Sequence, residues 1–311
     1  MKAILGYWFG IVRAAAHYWL DADAFIHAAA LAFFTVFSVA PVMIIAVGIV
    51  GAVLGAEAAR GQIAHELEQV IGVEAAEAVQ TAVVSSQIDQ SGLLPAVAGV
   101  AALLFGATTV FAQMQRSLNL IWGVVPKPTR SSMFILIKAR VLSLTIVIAI
   151  GFVLLVSLLL SVFLRAVIAF AQDWLPLPPT VMVGVEVITS LAVVTVLFAT
   201  IFRVLPDVIL RWKDVMPGAF VTALLFTLGR TLIAMYLAYS ATASTYGAAG
   251  SLVLLLLWVN YASLILLFGA AFTRAHREAR GGAIRPRNTA VRTHVELVED
   301  GVSPPPPRAG R

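Results

Sequence analysis

Two ionisable residues, Glu186 and Arg230, stand inside long apolar segments and are the first candidates for chemistry. A charged side chain at the centre of a bilayer costs about 3 kcal/mol on insertion scales, so such residues often mark a path for a substrate, an ion or a proton. A guanidinium binds phosphate through two parallel hydrogen bonds, which suits Arg230 to an anionic headgroup. The structural alternatives are a buried ion pair that fixes helix packing and an Arg230 side chain that extends outward to water.

Asn260 is a third polar residue in an apolar segment. If the three segments are helices with a rise of about 1.5 Å per residue, Glu186, Arg230 and Asn260 all fall in the outer half of the helix bundle. We therefore predict a polar substrate-binding cavity formed by these three residues. A hydrogen bond that only fixes helix packing is the alternative for Asn260.

Pro41 interrupts another apolar segment and removes a backbone hydrogen bond to the carbonyl of Phe37. A nearby hydroxyl, such as that of Ser38, or a water molecule would partly satisfy that carbonyl. Broken helices of this kind line cavities in transporters, so Pro41 and Ser38 form a hypothetical kink or gate. A proline kink that serves packing alone is the favoured interpretation here.

The sequence lacks the usual motifs of hydrolytic enzymes. Its 311 residues contain no cysteine, no HExxH, no GxSxG, no Walker A motif and no GxGxxG turn. The histidines are dispersed, without a pair at metal-ligand spacing: His17, His27, His65, His276 and His294. We therefore predict a protein that is not an enzyme, with no catalytic residue, metal or cofactor.

The elements that must position these residues are membrane helices. Hydrophobic residues make up 60% of the chain and charged residues 12%, and the mean hydropathy is +0.96. A helix needs about 20 apolar residues to cross a hydrocarbon core of about 30 Å. Long apolar segments without period-2 alternation predict an all-α integral membrane protein with six transmembrane helices within residues 28–273. The predicted spans are 28–53, 92–112, 141–164, 180–202, 215–239 and 249–273.

Basic residues alternate between the connections and predict the orientation of the spans. Successive connections beginning with the N-terminal segment hold 2, 1, 5, 1, 3, 0 and 8 Lys and Arg residues. By the positive-inside rule, both termini are cytoplasmic. Most of the net charge of +5 is therefore topological, with anionic lipid as a possible partner of the cytoplasmic loops and tail. Nucleic acid is not an expected partner, because no RNA-binding or DNA-binding signature accompanies the charge.

Three regions lie outside the spans. A narrow polar stripe at helical spacing predicts an interfacial helix within residues 1–27. Apolar residues at helical spacing predict an external helical hairpin at 54–91, which either packs as a lid or gates a cavity. The basic, Pro- and Gly-containing segment 274–311 predicts a disordered cytoplasmic tail.

Three sequence motifs resemble the YihY/BrkB family of bacterial inner-membrane proteins, over residues 20–277. They are the run from Ala28 to Pro41, the pair formed by Phe202 to Asp207 with Pro217-Gly218-Ala219, and the run from Tyr246 to Ala270. The resemblance implies a six-helix, multi-pass protein of the bacterial inner membrane. Members were formerly labelled ribonuclease BN, one is named as a virulence factor, and others are associated with lipid transport.

This sequence departs from the family at polar positions. Asn260-Tyr261 stands where members often have two tyrosines, and Ala271 stands in the segment where a carboxylate is expected. Glu186 is a speculative substitute for that carboxylate, and Arg230 falls where a basic residue is usual. The leading hypothesis is a transporter of a lipid or another amphipathic substrate, with membrane lipids as partners. A membrane scaffold or virulence-associated factor is the alternative, and a ribonuclease is the least favoured.

Overall fold

The structure is a computed structural model that describes residues 2–38, 109–127, 179–239 and 248–293. The described chain is mostly helical, with two short strands. Its helices are α1 (Lys2–Asp21), α2 (Ala24–Ser38), α3 (109–121), α4 (Pro179–Val204), α5 (Trp212–Tyr239) and α6 (Ala248–Ala279). Strands β1 (Val124–Pro126) and β2 (Ala290–Arg292) form an antiparallel pair.

Three described helices are long and apolar enough to cross a membrane. They are α4, α5 and α6, and they contain the predicted spans 180–202, 215–239 and 249–273. A fourth candidate exists if α1 and α2, which meet at a bend of 64°, form one broken span. The predicted span 141–164 and the hairpin 54–91 lie outside the described residues, as do most of 92–112 and the second half of 28–53. The described part is thus a helical membrane protein, and the total of six spans stays a prediction.

Helices α5 and α6 cross closely because glycines face threonines in both directions. A Cβ added to Gly218 of α5 would lie 1.8 Å from Oγ1 of Thr273 on α6, and one added to Gly269 would lie 1.7 Å from Oγ1 of Thr222. Each threonine hydroxyl donates to the carbonyl one turn earlier in its own helix, at 2.6 Å for Thr222 and 2.8 Å for Thr273. Small residues let the backbones approach, as is common where membrane helices pack.

Helix α1 packs across α6. The indole nitrogen of Trp19 donates to the carbonyl of Leu264 at 3.1 Å, and the ring of Trp8 stacks on His276 with centroids 5.7 Å apart. The bend into α2 follows at Asp23, which has a positive φ of 48°. Residues 1–27 therefore contain a helix, as predicted, and its interfacial position stays a prediction.

Residues 274–293, which the composition placed in a disordered tail, are ordered. Helix α6 continues to Ala279, and Gly281 ends it with a φ of 71°. The chain then turns back, and the buried side chain of Ile284 packs into the core. Composition did not predict an ordered segment here because the pairing of β2 with β1, a distant strand, is not visible in the local sequence. Residues 294–311 lie outside the described residues.

Candidate functional site

Arg230 is half-buried on α5. It follows Phe226 by one helical turn, and the Phe226 ring contacts Phe198 of α4 with centroids 5.7 Å apart. Glu186 belongs to α4, but its side chain is outside the described residues. The Phe226 ring also contacts Trp258 of α6, with centroids 5.3 Å apart, so α4 and α6 both pack on the turn of α5 that precedes Arg230. The ion pair between Glu186 and Arg230 stays a prediction.

Asn260 lies at the level of Arg230 along the α5–α6 pair. Gly229 of α5 meets Tyr261 of α6, where an added Cβ would lie 2.0 Å from Cε1 of the tyrosine. The tyrosine hydroxyl also donates to the carbonyl of Leu225 at 3.3 Å. Because the two helices are antiparallel, Arg230, which follows Gly229 on α5, lies at about the same level along the helix axes as Asn260, which precedes Tyr261 on α6. The expectation that the two polar residues share a depth in the bundle agrees with this register.

Asn260 is part-buried on α6, one turn before Leu264, whose backbone carbonyl accepts from the indole nitrogen of Trp19 on α1. Its Oδ1 is buried and has no hydrogen-bond partner among the described residues. A cavity shared by Asn260 and Arg230 stays a prediction.

Ser38 is buried, with 2% of its surface exposed, and is the last described residue of α2. Pro41 lies outside the described residues, so the kink that we predicted there stays a prediction. The bend that the structure does show is earlier, between α1 and α2.

Sequence reasoning missed a buried polar network around Asp207. Asn119 of α3 donates from Nδ2 to the carboxylate of Asp207 at 2.8 Å, and its Oδ1 accepts from the backbone amide of Asp207 at 2.8 Å. Gln115 donates to the same carboxylate oxygen at 3.2 Å. The backbone amide of Arg287 donates to the Asp207 carbonyl at 2.8 Å. Asp207 therefore ties α3, the α4–α5 loop and the segment after α6 together.

A second polar cluster joins α1, α3 and α6. Arg274 pairs with Glu278 at 3.1 Å, donates to the carbonyl of Ile121 at 2.7 Å, and holds its guanidinium carbon 4.0 Å from the centre of the Tyr18 ring. The Tyr18 hydroxyl donates to Glu278. A cavity of about 450 Å³ opens beside this cluster between α1 and α6, with Gly10 in its wall. Both polar networks hold the helix ends, and no three His, Asp or Glu side chains gather as a possible metal site within the described ranges.

Long apolar helices, a glycine-based crossing and polar networks at the helix ends define an integral membrane protein of the helical class. The chain belongs to the family described as Virulence factor BrkB, which matches residues 15–294.

Curated relatives are similar over part of their length. The ribonuclease-like protein YfkH of Bacillus subtilis is 30% identical over 55% of this chain and 62% of its own length. A UPF0761 membrane protein of Mannheimia succiniciproducens is 28% identical over 56% of this chain and 58% of its own length. One of Stenotrophomonas maltophilia is 27% identical over 83% and 58%. The chain thus spans about 60% of the length of each of these curated relatives. No solved structure matches it significantly.

Proposed function

We propose that this protein moves or accommodates a lipid, or another amphipathic substrate, in the bacterial inner membrane. Arg230 is the proposed contact for an anionic headgroup such as a phosphate. The observation that carries the proposal is a half-buried arginine inside a candidate span, Trp212–Leu232. Such a residue costs about 3 kcal/mol at the bilayer centre, so its retention calls for a function or a partner.

Exposed apolar side chains on α4 and α5 support an amphipathic substrate. Leu228 and Leu232 are 56% and 55% exposed on the face of α5 opposite Arg230, and Val187 and Ile188 of α4 are 56% and 69% exposed. Apolar helix surfaces let acyl chains remain in the hydrocarbon while a headgroup contacts a charge on the same helices. Glu186 is a further proposed site residue, since it lies on α4.

The proposed topology has six transmembrane helices and cytoplasmic termini. The described basic residues support it, since Arg203 is in the last turn of α4, Arg211 and Lys213 flank the start of α5, and five arginines fall within 274–287. Reporter domains fused to either terminus test the orientation. Activity of a cytoplasm-specific reporter at both ends is expected, and activity of a periplasm-specific reporter at either end contradicts the topology.

Movement of a labelled phospholipid between the leaflets of liposomes tests the function. We expect faster movement with the protein than in empty liposomes, loss of that movement in Arg230→Gln, and partial retention in Arg230→Lys because the charge remains. Thr231→Gln, which places the same new side chain at the next, exposed position, is the matched control and should move lipid normally. Equal movement by Arg230→Gln and the parent protein, both shown to be folded, contradicts the role of Arg230.

A scaffold or virulence-associated factor is the second candidate, and one observation favours it. Residues 280–293 are ordered against the end of the helix bundle, which supplies a folded surface for a partner. The family name, Virulence factor BrkB, agrees with this alternative. If surface variants within 280–293 abolish a cellular phenotype while Arg230→Gln leaves it intact, the scaffold is preferred to the transporter.

A further inference from the structure

A basic surface lies where α4 ends and α5 begins. We define the basic corner as Arg203, Arg211, Lys213 and Arg285, which lie on the α4–α5 connection or on the segment bonded to it. The backbone amide of Ile209 donates to the carbonyl of Arg285 at 2.9 Å, which holds the segment after α6 on the α4–α5 loop. Lys213 and Arg285 are exposed, and neither forms an ion pair with the described residues.

The acidic residues near the basic corner are already engaged inside the fold. Asp214 accepts from Arg277 at 2.8 Å, and these two side chains are 15% and 13% exposed. The Arg211 side chain, which is 83% exposed, contacts Asp214 through Nε at 3.4 Å, and its backbone amide donates to the same carboxylate at 3.1 Å. Asp207 is buried against Asn119. Residues 203–214 and 274–287 carry eight Lys and Arg residues and three acids, which leaves five positive charges in excess.

Trp212 places the basic corner at the depth of lipid headgroups. The guanidinium carbon of Arg203 lies 4.5 Å from the centre of the Trp212 ring, and the ring is 44% exposed. Tryptophan is enriched at the interface between membrane and water, and here it begins a candidate span, Trp212–Leu232. Arg203 is in the last turn of α4, another candidate span. The exposed cations therefore lie next to the ends of two spans.

We propose that the basic corner binds the phosphate of an anionic phospholipid. Guanidinium groups pair with phosphate oxygens, and each basic residue near an anionic membrane surface strengthens attraction to it. The inference rests on the membrane placement of α4 and α5 in the proposed function, and not on transport or on Arg230. Single-stranded RNA would also be drawn to cations, but it would not account for a tryptophan at the end of a membrane span.

The test is titration of the full-length protein, in neutral detergent, with phosphatidylglycerol and with phosphatidylcholine, followed by native mass spectrometry. We expect preferential binding of phosphatidylglycerol and a loss of about tenfold in its affinity in the double variant Arg203→Gln/Lys213→Gln. The matched control is Arg308→Gln/Arg311→Gln, which removes the same charge from the end of the chain. Affinity in this control should stay close to that of the parent.

Three results would overturn the proposal. Parental affinity in Arg203→Gln/Lys213→Gln removes the basic corner as the site. Equal losses in the two double variants assign binding to net charge and not to the corner. Displacement of phosphatidylglycerol by a short single-stranded RNA makes RNA the preferred ligand. If the double variant fails to fold, the single exposed substitution Lys213→Gln, with Lys213→Arg as its charge-preserving control, carries the same comparison. Leaflet movement in these variants separates failure of this site from failure of the transport proposal.

Discussion

The hydroxyl oxygen of Thr222 on α5 occupies the space that a Cβ on Gly269 of α6 would need, 1.7 Å from the position of that atom. The same relationship recurs one turn away between Thr273 and Gly218, at 1.8 Å. Both threonine side chains are fully buried. The crossing of α5 and α6 therefore depends on having no side chain at two positions.

Gly269→Ala should destabilise the protein. The added methyl group displaces the Thr222 hydroxyl or separates the helices, and overpacking of this kind costs about 1–3 kcal/mol. The measurement is the midpoint of thermal unfolding in detergent, followed by helical circular dichroism. Gly10→Ala is the matched control, since a Cβ there meets nothing within 4 Å. Adding Thr222→Ala to Gly269→Ala should restore part of the stability, and a parental midpoint in Gly269→Ala alone contradicts the close crossing.

Asn119→Ala should destabilise the end of the bundle where Asp207 lies. The substitution removes two hydrogen bonds of 2.8 Å. One is donated by the Asn119 side chain to the Asp207 carboxylate, and the other is accepted by that side chain from the backbone amide of Asp207. A buried polar group left unpaired costs about 1–3 kcal/mol, so a lower unfolding midpoint is expected. Thr200→Ala is the control, because that exposed hydroxyl donates only to a carbonyl of its own helix. Equal midpoints for the two variants would show that the network is not important for stability.

The sequence predicts the helices better than their contacts. Hydropathy along the chain predicts the helices that contain Glu186, Arg230 and Asn260. In lipid the backbone N–H and C=O groups of each segment must form hydrogen bonds within that segment, so a long apolar run has to be a helix. Counting residues also predicts that Glu186, Arg230 and Asn260 share the outer half of the bundle, and that placement stays a prediction. The side that each faces depends on which neighbour packs on which stripe, and a single sequence does not contain that information.

The same limit explains the missed Asp207 network. Its partner Asn119 is 88 positions away in the chain, and nothing in the local composition of α3 marks that asparagine. The ordered segment 280–293 was missed for a related reason, since its hydrogen bonds go to β1 and to the α4–α5 loop. Polar residues in a membrane protein are thus located by sequence and assigned partners only by structure.

Arg274→Ala should loosen the contact between α1 and α6. Arg274 contacts Tyr18 of α1, Glu278 of α6 and the carbonyl of Ile121, and its side chain is 20% exposed. Hydrogen bonds to charged groups contribute about 1.5–3 kcal/mol, so we expect a loss in that range. Hydrogen exchange of α1 amides is the measurement and should become faster. Arg280→Ala, at an exposed position beyond α6, is the control. Unchanged exchange in α1 would show that Arg274 does not hold this helix.

Ile284→Asp should detach the segment after α6 from the bundle. Ile284 is 4% exposed, and a carboxylate in its place would be buried without a cation, which costs several kcal/mol unless the segment moves into water. Once released, the partly buried Arg287 becomes accessible to trypsin, so cleavage between Arg287 and Asn288 should accelerate by about tenfold or more while α4, α5 and α6 stay intact. Ala283→Asp adds the same charge at a neighbouring exposed position and should leave the cleavage rate unchanged. Slow cleavage in Ile284→Asp, equal to that in Ala283→Asp, would contradict the docking of residues 280–293, because a detached segment with an accessible arginine is cleaved readily.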